Sequence, residues 1–155
     1  MNSDRPGQRY WSLVEPIWDK ISIHDGTKEF LRQFRAAPRI AGHLFAGHWC
    51  QSEVCNGGFD QFFWNSTGIL APEALGAYRA MGLTEWADIL ADAMRYFAEP
   101  YPRDRSAREA RLSVGDKQTR GVRFAGLDRR FYDWLHAEPD RWERAADRFA
   151  ESSDT

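Results

Sequence analysis

The stretch EVCNGGFDQFFWN, residues 53–65, gathers most of the groups with which this chain could do chemistry. Two carboxylates, Glu53 and Asp60, stand among the side-chain amides of Asn56, Gln61 and Asn65, with Gly57 and Gly58 between them. Paired carboxylates can serve acid–base catalysis, and a carboxylate among amides can orient a small ligand. One such pair is thin ground for an enzyme, and the chain is read as non-enzymatic. A small-ligand or catalytic pocket around Glu53, His48, Asn56, Gln61 and Asn65 stands as the alternative. His43, His48, Cys50 and Cys55 resemble a zinc set when written out. On a helix, however, His43 aligns with Cys50 and His48 with Cys55, each pair about 10 Å apart along the axis. That is too far for ligands lying about 2 Å from one metal. No metal or cofactor is expected. The chain also lacks a G-x-S-x-G elbow, a P-loop and a Rossmann glycine pattern.

These residues need helices to position them. Apolar side chains recur at helical spacing almost throughout, and no segment alternates with period two for long. Trp11, Val14, Trp18 and Ile21 mark a first helix with Pro16 inside it. Thr27 is placed to cap a second helix that ends before Pro38. A longer helix runs from Ile40 to Asn56 and carries apolar residues on both sides, so it belongs at the centre. That leaves the Glu53 carboxylate in want of hydrogen-bond donors. Asn56–Gly57–Gly58 fits a helix end, and Phe59 opens the next helix with free N–H groups suited to a carboxylate. Phe59, Phe62 and Phe63 then face the core, while Gln61 and Asn65 share the other side. Pro72 begins a helix that Gly82 stops, and Thr84 caps an amphipathic helix to about Phe97. Residues 113–122 read as a loop. Helices around Asp128–Leu135 and from Pro139 to Phe149 follow, and the tail Ser152–Thr155 is expected to fray. The expectation is one all-α, multi-helix domain over residues 1–155, with a helix–Asn-Gly-Gly–helix corner at its centre and an N-terminal helical extension over 8–37.

At 43% hydrophobic residues, the chain has enough apolar surface to fold. No apolar segment opens it and none approaches the length of a membrane span, so a cytoplasmic protein without membrane contact is expected. The net charge of −2 favours no partner class, but its distribution is uneven. Residues 40–100 hold seven acids and two bases, a net −5, whereas residues 101–155 hold twelve bases and eleven acids, a net +1. Arg103, Arg105, Arg108 and Arg111 are interrupted by Asp104 and Glu109 and read as a solvated helix, not a nucleic-acid patch. Glu85, Asp88, Asp92 and, if the helix extends so far, Glu99 fall along one side of the helix from Thr84, a line about 20 Å long. With Glu73, they make an acidic face suited to a basic protein.

The segment HWCQSEVCNGGFDQFFWNSTG, followed by APEALGAYRAMGLTEWADIL and later GLDRRFYDWL, resembles a bacterial family of DNA-mimic-protein C-terminal domains, also catalogued as a domain of unknown function. The resemblance covers roughly residues 40–150 and rests most on Glu53 to Asn65. It implies an all-α cytoplasmic domain without known cofactor or catalytic residues. One type of member imitates the charge of duplex DNA and so blocks a DNA-binding protein, which places such proteins in transcription regulation. The expected function is accordingly a DNA-mimic-like regulator binding a DNA-binding or other basic protein through Glu73, Glu85, Asp88, Asp92 and Glu99. Glu53, Asn56, Gly57, Gly58, Phe59, Gln61, Phe62 and Asn65 would form the corner. An immunity-type protein that neutralises a toxin would use the same chemistry, and assembly as a homodimer stays open.

Overall fold

A computed structural model describes residues 5–152. Every regular element among them is helical, and they form one compact all-α domain. Its axis is α3 (Arg39–Trp64), whose Leu44, Phe45, Ala46, Cys50 and Val54 are all buried. A helix apolar all round must be enclosed, and the other elements enclose it. On one side lie a 3₁₀ turn (Ser66–Leu70) and α4 (Ala71–Ala80). Tyr78 of α4 donates its hydroxyl to the Gly47 carbonyl at 3.0 Å. On another lies α1 (Gln8–Val14), which continues into a 3₁₀ run (Glu15–Lys20) where Pro16 removes a backbone donor. After α2 (Thr27–Ala36), the remaining α-helices are α5 (Thr84–Met94), α6 (Arg105–Leu112), α7 (Lys117–Val122), α8 (Ala125–His136) and α9 (Arg141–Glu151).

Aromatic rings join the outer layers. Trp86 of α5 stacks on Phe131 of α8, with centroids 4.0 Å apart and planes at 7°. The first and last helices meet, and one carboxylate caps the contact. Asp147 of α9 accepts the N–H groups of Gly7 and Tyr10 at 2.7 and 2.9 Å, so a carboxylate from the last helix satisfies the open start of the first.

Several local expectations are corrected. Residues 113–122 are not all loop, because Asp116 accepts the Thr119 N–H at 2.8 Å and starts α7. Gly26 and Leu83 stand at the N-cap positions of α2 and α5, and neither Thr27 nor Thr84 caps its helix. The Thr27 hydroxyl instead donates to Asp104 at 3.1 Å. Beyond Ser152, the tail expected to fray lies outside the described residues.

The break in α3 shapes the whole molecule. Gly57 (φ −154°, ψ 21°) and Gly58 (φ 74°, ψ −179°) leave helical geometry and divide the element into two limbs. The Gly58 conformation is essentially closed to residues with a side chain. A Cβ there would also lie 2.6 Å from an Asp128 carboxylate oxygen, and one on Gly57 would lie 1.9 Å from Gln61 Oε1. Gly58→Ala should therefore lower the unfolding free energy by about 2–3 kcal/mol in urea titrations. Gly76→Ala is the control. Gly76 is helical with open space around it, and the same change there should raise stability by about 0.5–1 kcal/mol.

Candidate functional site

A broken helix presents free carbonyls on one side of the break and free N–H groups on the other, and in the interior both need partners. Helix α8 supplies them with two residues four apart on one face. The Tyr132 hydroxyl lies 2.9 and 2.7 Å from the Val54 and Cys55 carbonyls that end the first limb. Asp128 accepts the Phe59 N–H, which opens the second limb, at 2.8 Å. The sequence pointed to a carboxylate at these N–H groups, but the carboxylate is Asp128 and not Glu53. Burial pushes the Asp128 carboxyl above its ordinary value, while the Phe59 N–H opposes that rise. The missed signal was the spacing of Asp128 and Tyr132 within GLDRRFYDWL, which sets an acceptor and a donor on one helix face.

Away from α8, Glu53 bridges the break through side chains. Gln61 Nε2 on the second limb and Asn65 Nδ2 just past its end donate to the same oxygen, Glu53 Oε2, at 2.7 and 3.2 Å. Phe59, Phe62 and Phe63 are fully buried. Asn56 is exposed, so it stands outside the polar bridge. His48 also lies elsewhere, where the Tyr10 hydroxyl meets its Nδ1 at 3.1 Å and Trp142 Nε1 meets the same hydroxyl at 3.3 Å. Since the Tyr10 oxygen accepts from Trp142, its proton is free to reach a neutral imidazole. The structure thus keeps Glu53, Gln61 and Asn65 together and separates His48 and Asn56 from them.

The far end of α3 is closed by arginines. Arg108 is fully buried, which corrects its place in a solvated face, while Arg105 and Arg111 of α6 are exposed as expected. Its Nε and Nη2 donate to the Phe63 and Asn65 carbonyls, both at 2.9 Å, and its Nη1 donates to the Arg103 carbonyl. A guanidinium placed on the last carbonyls of a helix is favoured by the dipole as well as by hydrogen bonds. Desolvation still lowers its pKa. Arg105 adds a bond from Nε to the Trp64 carbonyl at 3.0 Å.

The acids expected on one face divide. Glu85 and Asp88 are exposed on α5, and no ion pair is found for either among the described residues. Asp92 lies 3.4 Å from Arg95 and 3.9 Å from Arg130. Helix α5 ends at Met94, because the N–H groups of Tyr96 and Phe97 turn back to Ala93 and Met94, so Glu99 is not on the helix. The continuous acidic line therefore shortens to Glu85–Asp92, about 10 Å. Glu73 lies apart. Its side chain is 11% exposed and bound by Arg103 Nη1 at 2.5 and 3.1 Å.

Burial pushes the Cys50 thiol up to about 12 and the Cys55 thiol to about 11, so both stay protonated at neutral pH. Among the described residues, no group of three His, Cys, Asp or Glu side chains could hold a metal ion, and no helix is long and apolar enough to cross a membrane. A family model described as DMP19-like protein matches residues 35–153. No curated protein and no solved structure matches the chain.

Burial lowers the His48 and His43 pKa values below the ordinary 6.5. Just below that value the unfolded chain binds more protons than the folded one, so stability is full above it and declines as pH falls through it. Unfolding free energy should drop between about pH 7 and about pH 5.5, with a shallower slope in His48→Gln, read from urea titrations at each pH. Asp60, Glu73 and Asp128, all raised by burial, act in the opposite sense at lower pH, where the fold takes up protons first.

Proposed function

The chain belongs to the DMP19-like family, and from that premise we propose that it is a non-enzymatic interaction module that docks on a DNA-binding or other basic protein through the acidic side of α5. The observation that carries this reading is the way the carboxylates divide. Glu53, Glu73, Asp128 and Asp147 are engaged inside the fold, whereas Glu85 and Asp88 stand exposed without an ion pair among the described residues. Exposed like charges one turn apart do nothing for the helix that bears them beyond the favourable place of Glu85 in its first turn. They do supply a negative edge of the kind that steers a basic partner and fixes its register.

Family membership supports the DNA-mimic form of this interaction, and the family is not a known enzyme family. The local charge supports a small contact. Asp92 is shared between Arg95 and Arg130, so the negative edge is short and borders cations. The partner accordingly reads two or three acids and not an extended row of phosphate-like charges. Glu73 and Glu99 contribute little, one being bound by Arg103 and the other lying past the helix end. An immunity-type role would use the same edge against a basic toxin.

Capture of tagged wild-type protein and of a Glu85→Gln/Asp88→Asn/Asp92→Asn variant from a host lysate tests this reading, with duplex DNA as competitor. The wild type should retain a DNA-binding protein that duplex DNA and rising salt release. The variant should lose at least about tenfold in capture, while its stability changes by no more than about 0.5 kcal/mol per site. Equal capture by the two proteins would overturn the proposal.

A further inference from the structure

The polar bridge at the break leaves one of its atoms unused. Gln61 and Asn65 both donate to Glu53 Oε2, and no donor reaches Oε1 among the described residues. A carboxylate has about four acceptor positions, so half of this one is held in place by the fold without being satisfied by it. Glu53 lines a recess of about 300 Å³, whose other walls include Ile23, Trp49, Asn65, Ser66 and Arg105. Trp49 also lines the recess, and its buried Nε1 finds no acceptor among the described residues. Buried polar groups rarely lack partners.

Arg105 brings the opposite charge to the same recess. Its Nε serves the Trp64 carbonyl at 3.0 Å and pairs with Glu109 at 2.9 Å, whereas its terminal guanidinium nitrogens make no hydrogen bond among the described residues. A simple anion would meet Arg105 but be repelled by Glu53. A simple cation would meet the reverse. A carboxylate with one oxygen left open, beside a guanidinium whose terminal nitrogens make no hydrogen bond among the described residues, selects a molecule that carries both signs, and Ile23 and the Trp49 indole offer its body an apolar wall.

We propose that the recess lined by Glu53, Trp49 and Arg105 binds a free α-amino acid with an apolar side chain, its ammonium on Glu53 Oε1 and its carboxylate on the Arg105 terminal nitrogens. Charge-assisted hydrogen bonds of this kind are the strong ones, and the guanidinium fork fits a carboxylate. The volume is at the small end for ligand pockets, which suits one amino acid and not a cofactor. In this role Gln61 and Asn65 are positioning residues, since they orient the Glu53 carboxylate and do not line up with the ligand's charges themselves. The inference is independent of docking through α5, because none of Glu85, Asp88 and Asp92 lines the recess.

L-leucine, N-acetyl-L-leucine and L-leucinamide, each titrated into the full-length protein to about 20 mM while amide and indole N–H resonances are followed, test the proposal. L-leucine should produce saturable shifts at the Trp49 indole N–H and the Asn65 side-chain amide. The acetylated form, which lacks the ammonium, and the amide, which lacks the carboxylate, should each bind at least about tenfold more weakly. Arg105→Gln should weaken L-leucine by a similar factor. Arg105 is nearly half exposed, so this variant stays informative even if Glu53→Gln fails to fold. The proposal is overturned if L-leucine gives no saturable shift, if its shifts map elsewhere, if either derivative binds as well, or if Arg105→Gln binds like the wild type.

Discussion

A helix broken in the middle of a protein is possible only if the backbone groups at the break find partners, and here α8 provides both kinds. Tyr132 takes the carbonyls of Val54 and Cys55, and Asp128 takes the N–H of Phe59. Two residues one turn apart thereby hold both limbs of α3 across 69 to 78 positions of sequence. The rest of the structure follows from that arrangement. It sends Phe59, Phe62 and Phe63 into the core, where Phe59 meets Phe131 at 5.6 Å and Phe63 meets Phe97 at 4.9 Å. It also carries Gln61 and Asn65 back towards Glu53. The glycines permit the break, but α8 holds it.

The same constraint sorts the charges. Glu53, Glu73, Asp128 and Asp147 are each matched to an open helix end, an arginine or a pair of amides. Arg108 follows the same logic in reverse, as a buried cation that has no carboxylate partner among the described residues and rests on carbonyls at the end of α3. A buried guanidinium is costly in isolation, and the helix end is what makes this one tolerable. Among the described residues, the charges the fold leaves without an ion pair include Glu85 and Asp88 on α5, and one carboxylate oxygen of Glu53 and the terminal nitrogens of Arg105 make no hydrogen bond. The two proposals rest on these two separate remainders.

Much of this could be read from the sequence, for identifiable reasons. The central place of α3 follows from apolar residues on both its sides, and Pro72 and Gly82 frame α4 as their stereochemistry requires. That Glu53 needs donors follows from its place on a buried helix between Trp49 and Cys50. What stayed hidden was long-range. Nothing near Arg108 says that two of its acceptors, the Phe63 and Asn65 carbonyls, lie more than forty residues earlier. Asp128 is an ordinary first-turn acid until Phe59 is brought against it. The short α7 buries no residue, so it leaves no apolar period to detect, and only Asp116 marks its start. Helix α5 stops short of Phe97 although Phe97 keeps the apolar period, because a turn can bury a ring as well as a helix can.

Amide hydrogen exchange at Phe59, compared between the wild type and Asp128→Ala, tests most directly whether α8 holds the break. In the wild type the Phe59 N–H should exchange only with global unfolding. In Asp128→Ala its protection should fall by roughly 10- to 100-fold more than that of the amides within α5, as expected for loss of a charge-assisted hydrogen bond at a site that can then open locally. Equal loss of protection at Phe59 and in α5 would contradict the account, since the break would then be held by the core packing around it and not by Asp128.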